Sequence, residues 1–313
     1  MGKRHKPPKR TYSIDQTPLY KCRSRGRLAS ILGFSSLQDL EALANDDEKS
    51  YAFFLADPDN PKPRPVQRPV GQREKVHLRL FMLLRRIAPP SYLHSGVSGR
   101  SNVTNAKAHV GAHPVFKTDI KNFYNTTSSQ LVNHFFREQL RCSPDVSSLL
   151  TRLCTVNGHI PTGSSLSQLL AFYSIKVRLD RFAAECQARN VVMTIYVDDI
   201  TISGQLASKG LLFLLKRLLA TDGFECHKDA QYRALAPKLI TGVIVTAHDI
   251  RVRNRQHQKI HTELHELLGE QLGSDEAAIA CQRLKGLIAS ASQIDRSVAQ
   301  HTNVLDTWAT QST

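Results

Sequence analysis

The feature that most limits what this chain can become is the stretch 191–204, Val-Val-Met-Thr-Ile-Tyr-Val-Asp-Asp-Ile-Thr-Ile-Ser-Gly. Two short runs rich in β-branched residues flank a pair of acids, which reads as strand, tight turn, strand. Asp-Asp is a poor strand interior and a good turn, because short carboxylates hydrogen-bond their own backbone. A hairpin with apolar arms therefore lifts Asp198 and Asp199 together at its tip. Taken alone, the dipeptide reads as the solvated turn of an ordinary hairpin. Tyr196 and the buried-looking arms point further, and an upstream motif decides. Asp119 ends another short apolar run, Val115-Phe116-Lys117-Thr118-Asp119-Ile120, as a strand delivering a carboxylate to its edge would.

Neighbouring carboxylates repel, so a cation is expected beside them. Mg²⁺ prefers hard oxygen ligands and takes one or two carboxylates together with substrate phosphates. Three carboxylates meeting on two metal ions about 3.5–4 Å apart form the clamp used for in-line phosphoryl transfer by polymerases and nucleases. Asp119, Asp198 and Asp199 are the predicted catalytic and metal-holding residues. Ile120 stands beside them among the metal positions, and Mn²⁺ serves as a substitute ion.

Tyr196-Val197-Asp198-Asp199 resembles the Tyr-X-Asp-Asp box of reverse transcriptases, and the Asp119 segment resembles their first palm motif. The motifs fall in order along most of the chain. The resemblance implies an α+β, right-hand polymerase fold: fingers, a palm built as an antiparallel sheet backed by helices, and a helical thumb. The corresponding division is a basic arm over 1–18, fingers and N-terminal helices over 19–112, palm over 113–247 and thumb over 248–313.

Charge fits that reading. Against 27 acidic residues stand 42 Lys and Arg, a formal net charge of +15, which calls for a polyanionic partner such as nucleic acid. No apolar run approaches the roughly 20 residues of a membrane-spanning helix. The basic N-terminus lacks the apolar core of a signal peptide. Six scattered cysteines without a Cys-x-x-Cys pair argue against zinc ribbons and disulfide frameworks, and for reduced thiols in a cytoplasm, which the resemblance given below would make bacterial.

Taken in order, Gly2-Lys3-Arg4-His5-Lys6-Pro7-Pro8-Lys9-Arg10 reads as a disordered arm, either inert or resting on phosphates. Residues 19–56 carry a helical pattern, with Ser35-Ser36 capping its second helix. The proline-rich run 57–65 is turn leading to extended chain, after which Arg73, Lys75, Arg79, Arg85 and Arg86 punctuate a helix. Taken singly, Arg73 and Lys75 read as surface charges. By resemblance to the fingers, Arg64, and more weakly Arg68, hold the incoming triphosphate. Asn105-Ala106-Lys107-Ala108-His109 resembles the Asn-Ala-X-X-His box of bacterial retron reverse transcriptases; Asn105 and His109 either brace the fingers–palm connection or contact RNA. Tyr124 takes the place of the aromatic that packs under the nucleotide sugar and excludes a 2′-hydroxyl, and the other reading is a core aromatic alongside Phe123.

Helices are predicted over 129–142, 144–156, from the 158–168 loop to about 189, over 206–221, 258–272 and 274–292. Apolar positions such as Leu169, Leu170 and Val177 would set the long one against a sheet. Pro161-Thr162-Gly163 resembles the second palm motif with Thr162 where Gln is usual, leaving Gly163 a backbone turn near the nascent pair. In the fourth motif Gly223 matches, His227 replaces Asn, and Lys228, out of register, is a candidate general acid for pyrophosphate. Ile240-Thr241-Gly242 resembles the retron Val-Thr-Gly box. Tyr196, Val197, Thr241, Gly242, Arg253 and Arg255 thus fall to primer and template. His257, His261 and His265 line one helical face; a solvated or RNA-facing stripe is the reading preferred over zinc.

The resemblance implies RNA-templated DNA synthesis by a retron enzyme. Its partners would be deoxynucleoside triphosphates, a structured noncoding RNA serving as primer and template, and the branched DNA product. A separate effector protein and a role in phage defence are also implied. Intron, diversity-generating or abortive-infection reverse transcriptases are the alternatives, with a non-catalytic RNA and DNA scaffold as the other.

Overall fold

The computed structural model describes residues 10–57, 60–269 and 274–311. The basic run 2–9 lies outside the described residues, as do Pro58, Asp59 and the end of the helix expected over 258–272. Of the arm's remainder, Tyr12 lies against the body, its N–H on Arg86 O and its hydroxyl on Leu83 O.

Helices α1 (Arg25–Leu32) and α2 (Leu37–Asn45) start where Ser24 and Ser36 accept the N–H groups of Arg27 and Asp39, the N-cap role of serine. A single turn, α3 (Asp47–Ser50), leads straight into strand β1 (Tyr51–Ala56), paired antiparallel with β2 (Arg64–Pro69). The helical pattern read over 19–56 therefore stops at Ser50. Tyr-Ala-Phe-Phe-Leu-Ala is apolar throughout, and periodicity cannot tell such a run from a strand. Helix α4 (Gly71–Leu84) buries Val76, Leu80, Leu83 and Leu84. It also buries Arg73 completely. That guanidinium donates to Leu43 O, Arg152 O and Asp47 Oδ1 at 2.6–3.0 Å, so Arg73 ties three elements together instead of decorating the surface. A buried cation must be paired in this way.

A loop and the short helix α5 (Asn102–Lys107), opened by a Ser101–Thr104 capping box, lead to β3 (Val115–Ile120) and α6 (Phe123–Thr126). Helix α7 (Ser129–His134) does not run on to 142 as expected; it passes into a π-helical turn, Phe135–Gln139. Helix α8 (Pro144–Cys154) begins on its proline, which lacks the N–H that a first turn leaves unpaired. The long helix α9 (Ser167–Gln187) buries Leu169, Leu170, Phe172 and Leu179, while Val177 is exposed on the side away from that face.

Strands β4 (Val192–Tyr196) and β5 (Asp199–Ser203) follow, then α10 (Lys209–Ala220) and β6 (Cys226–Tyr232). Together with β3 they form one antiparallel sheet in the order β4-β5-β3-β6. Its apolar residues merge with those of α9 and α10 into the main core. Thr241-Gly242 proves to be a hairpin turn, joining β7 (Lys238–Ile240) to β8 (Val243–Val245), with β9 (Ile250–Arg251) beside β8. The chain ends in α11 (Asn254–Gly269), α12 (Ser274–Ser292) and α13 (Gln300–Gln311), whose Ile260, Leu267, Leu284, Ile288 and Leu305 make a separate apolar cluster. This is a mixed α+β molecule with one fully antiparallel central sheet. Among the described residues no helix is long and apolar enough to cross a membrane.

Candidate active site

Cross-strand register gathers the three acids. Asp119 is the direct partner of Asp199, and Tyr196 of Asp199, across adjoining ladders of the sheet. Asp198 sits between them in the β4–β5 turn, and its carbonyl accepts the N–H of Ile120 at 2.9 Å. Asp119 and Asp199, 80 positions apart in the chain, thus meet because β3 and β5 pair in register. The turn is tight at a cost: Val197 has φ +60°, a conformation that a β-branched side chain strongly resists.

The electrostatics follow from burial. Desolvation pushes the carboxyls of Asp198 and Asp199 above their ordinary range, and the neighbouring acids push the same way. Lys117 opposes this at Asp199, Nζ to Oδ2 3.0 Å, with both side chains under a fifth exposed. Lys228 Nζ stands 3.0 Å from Asp119 Oδ2, and that carboxylate holds the Lys228 ammonium above its usual range. A shift in the β3–β6 register between Lys117 and Asp119, with Lys228 itself at φ +52°, marks a bulge. Bulges re-aim side chains, which accounts for a lysine out of register in the sequence reaching the acid all the same.

Two of the three carboxylates are therefore engaged by lysines, and among the described residues no three Asp, Glu, His or Cys side chains close into a ligand cluster. The donor chemistry nonetheless suits a hard dication. The set is all oxygen, partly desolvated and mutually repelling, and cationic groups already occupy two of its edges. Ile120 can offer only its main-chain carbonyl, since its side chain is buried and apolar.

A cavity of about 610 Å³ opens beside the turn, lined by Asp198, Val197, Ile120, Tyr124, Arg64, Val66, Thr162, His227 and Lys228 among others. Asp198 is the acid of the three that lines it. Arg64 is highly exposed, with a loose 3.9 Å pair to Asp57. Tyr124 stacks on Phe123, centroids 5.9 Å apart, and burial beside Asp198 pushes its hydroxyl up to about 12. Both rings line the cavity; Phe123 is buried in the core, and Tyr124 is the less buried of the two. Arg68 lies over the Phe54 ring at 5.6 Å and is not a lining residue.

The Pro161-Thr162-Gly163 segment makes its contacts with β2. Gly163 N–H donates to Gln67 O, Gln67 N–H to Thr162 Oγ1, and Thr162 Oγ1 to Pro65 O, at 2.9–3.1 Å. A Cβ on Gly163 would stand 2.7 Å from Val66 Cγ1 and 2.9 Å from Gln67 O, so glycine is needed for close approach. Thr162, in the place of the usual Gln, fastens the ribbon that carries Arg64.

Asn105 and His109 are fully buried. His109 bridges Ser203 Oγ at 2.6 Å and Thr194 Oγ1 at 2.7 Å, and Asn105 Nδ2 reaches Thr241 Oγ1 at 3.4 Å. The box thus lies inside the molecule, against both arms of the acidic hairpin and the 241–242 turn. Arg253 and Arg255 stand at the start of α11, with Arg255 exposed; His257, His261 and His265 are exposed along that helix. Sequence reasoning missed Lys117 and Ser95. Lys117 had a signal, since it lies two residues before Asp119 and on the same strand face. Ser95, a small polar residue in a loop, had none.

No family model matches the chain. Among curated proteins it is similar to the Retron Se72 reverse transcriptase of Salmonella heidelberg (strain 579083-10), 31% identical over 184 residues, 56% of this chain and 47% of that protein. It is similar to the Retron Ec48 reverse transcriptase of Escherichia coli, 23% identical over 287 residues, 82% of this chain and 66% of that one. The Retron Ec86 reverse transcriptase of Escherichia coli is 24% identical over 173 residues, 54% of this chain and 53% of the relative. The chain spans between about half and two thirds of the length of these relatives.

Proposed function

We propose that this relative of the retron reverse transcriptases is itself an RNA-directed DNA polymerase. The observation that carries the reading is the cross-strand pairing of Asp119 with Asp199, which sets them next to an Asp198 that faces a nucleotide-sized cavity. On this reading the ribbon β1–β2 and the N-terminal helices are fingers, the four-stranded sheet is palm, and α11–α13 are thumb. The proposed divisions between arm, fingers, palm and thumb fall near residues 18, 112 and 247.

In the proposed reaction a primer hydroxyl attacks the α-phosphorus of a deoxynucleoside triphosphate, a phosphodiester forms, and pyrophosphate leaves. Asp119, Asp198, Asp199 and the Ile120 carbonyl would hold two Mg²⁺, with Mn²⁺ as substitute. Ions held there would supply charge that favours the deprotonated hydroxyl and offsets that of the leaving pyrophosphate. Arg64 faces the triphosphate. Tyr124 packs under its sugar and leaves no room for a 2′-hydroxyl. Lys228, kept protonated by Asp119, stands ready to give a proton to pyrophosphate. Thr241 and Gly242 lie toward the primer end, and Arg253 and Arg255 toward duplex phosphates.

The similarity to retron enzymes supports the finer reading. A structured noncoding RNA serves as primer and template, an internal 2′-hydroxyl starts synthesis, and a branched RNA–DNA product results. A separate effector protein, a bacterial cytoplasmic setting and a part in phage defence complete the proposal. The lysine engagement of Asp119 and Asp199 favours a second reading, a scaffold that binds RNA and DNA without extending them.

Primer extension on a primed RNA template, with Mg²⁺ or Mn²⁺, separates the two. Wild-type protein is expected to extend, and Asp198→Asn to lose roughly a thousandfold, the scale of removing a group that acts in the transition state. A wild type inactive with either ion and with its own co-purified RNA would leave the scaffold standing. Digesting the co-purified nucleic acid with RNase and DNase tests the retron: an RNA–DNA hybrid is expected, and RNA alone would favour the other bacterial types.

A further inference from the structure

Two β-branched residues stand in the left-handed region: Val197 at φ +60° in the acidic turn, and Thr241 at φ +43° in the β7–β8 turn. Each such residue costs on the order of 1–3 kcal/mol and persists only where its surroundings over-determine it. Both are held by the same stretch of chain, residues 92–109.

At the first turn, Val197 N–H donates to Ser95 Oγ at 2.9 Å, and Ser95 is 3% exposed. Just before it, Ile195 N–H donates to Tyr92 O at 2.8 Å, and His94 N–H donates to Ile195 O at 2.9 Å. The stretch runs along the outer edge of β4 as far as the turn. At the second turn, Asn102 Nδ2 donates to Thr241 O at 3.2 Å, and Thr241 Oγ1 donates to Asn102 O at 2.9 Å. The two halves are joined to each other: His94 Nδ1 and Thr104 Oγ1 are 3.0 Å apart, and Thr104 closes the capping box of α5. His109 then anchors the far end to both arms of the acidic hairpin.

We propose that residues 92–109 act as a single yoke, with Ser95 and Asn102 as its two positioning residues, that fixes the Val197 turn relative to the Thr241 turn and so sets the primer end against the carboxylates. The proposal rests on the polymerase reading for its consequence and on the hydrogen bonds alone for its structure. The yoke acts through main chain, hydroxyls and the Asn102 carboxamide, so its sequence marks are small polar residues, and the Asn105–His109 box is its buried anchor.

The test uses the full chain on a pre-annealed RNA template and DNA primer. A misplaced reacting group costs up to ~10²-fold in rate, so Ser95→Ala and Asn102→Ala are each expected to lower kcat by about tenfold or more. The KM for the nucleotide and the affinity for a labelled primer–template should stay within about twofold. Glycine adopts positive φ without penalty, so in a Val197→Gly background the Ser95→Ala loss should shrink to within about twofold, and Asn102→Ala should behave likewise with Thr241→Gly. Equal losses in the valine and glycine backgrounds, or losses that fall on primer–template affinity, would overturn the proposal. Should the wild type prove inactive, the polymerase reading fails and amide hydrogen exchange still decides the yoke. Ser95→Ala should speed exchange at Val197 by at least tenfold; unchanged exchange there would refute it.

Discussion

Asp119 and Asp199 face one another as direct cross-strand partners in an antiparallel ladder, a position where like charges destabilise a sheet. Lys117 and Lys228 each answer one of them at 3.0 Å. Asp198 forms no ion pair among the described residues, and burial keeps its carboxyl above the ordinary range. Stability and chemistry are therefore set against each other at this turn.

Replacing Asp198 by Asn should show that conflict. The variant is expected to lose primer extension while its unfolding free energy rises, by up to ~1 kcal/mol for removal of a like-charge neighbour. Urea unfolding at pH 7.5 of wild type and Asp198→Asn measures the second half. A less stable variant would mean that Asp198 has a favourable partner in the folded state.

Divalent metal should reverse the order. A ligand that binds only the folded state at ten times its Kd stabilises it by about 1.4 kcal/mol. Mg²⁺ is expected to raise the wild-type melting temperature and chelation to lower it again, with the response much reduced in Asp198→Asn. Equal responses in the two proteins would place the bound metal elsewhere.

Gly163→Ala carries a steric prediction. Its Cβ would meet Gln67 O at 2.9 Å and Val66 Cγ1 at 2.7 Å, and a main-chain oxygen in a strand yields little. Overpacking of this kind costs roughly 1–3 kcal/mol, and the displaced element is the ribbon bearing Arg64. The variant is expected to unfold at lower urea and to show a raised KM for nucleotide. Unaltered kinetics would mean that β2 does not contribute to nucleotide binding.

What could be read from the residues, and what could not, divides along physical lines. The acidic hairpin was legible because apolar arms, a turn-forming dipeptide and a second acid at a strand end all agree, and the register then places Asp119 opposite Asp199. Strand β1 was missed because a wholly apolar run has no period to betray it. Arg73 carries the same charge as its exposed neighbours, and only the packing of α4 against α2 and α8 shows that it is internal. Thr162 looked like a departure from a motif, whereas its hydroxyl has a definite duty to β2. Small polar residues such as Ser95 and Asn102 act through single hydrogen bonds to main chain, for which no pattern in one sequence exists.

Two buried histidines give the chain a defined acid limit. His77 lies between Ser164 Oγ at 2.7 Å and Leu153 O at 2.8 Å, and burial lowers its imidazole to about 4. His109, between Ser203 and Thr194, is lowered to about 3 by burial, with His113 and His94 adding to the effect. Both rings are neutral when folded, and both protonate near 6.5 when unfolded. The unfolded state therefore binds more protons as pH falls through 6.5, and stability declines until the folded rings also titrate near 3 to 4. At pH 5 each ring accounts for about 2 kcal/mol lost relative to pH 8, at 1.36 kcal/mol per pH unit. Asp198 and Asp199, raised above the usual carboxylate value, work in the opposite sense, since protonating them relieves repulsion in the folded state; that gain comes mainly at lower pH. Urea midpoints at pH 8, 6.5 and 5 are expected to fall slightly over the first interval, equivalent to about 0.4 kcal/mol per ring, and steeply over the second. His109→Asn should flatten the second interval by about half, whatever it does to stability at pH 8. A midpoint that holds steady from pH 6.5 to 5 would show that at least one of the two rings already carries a proton or reaches water in the folded protein.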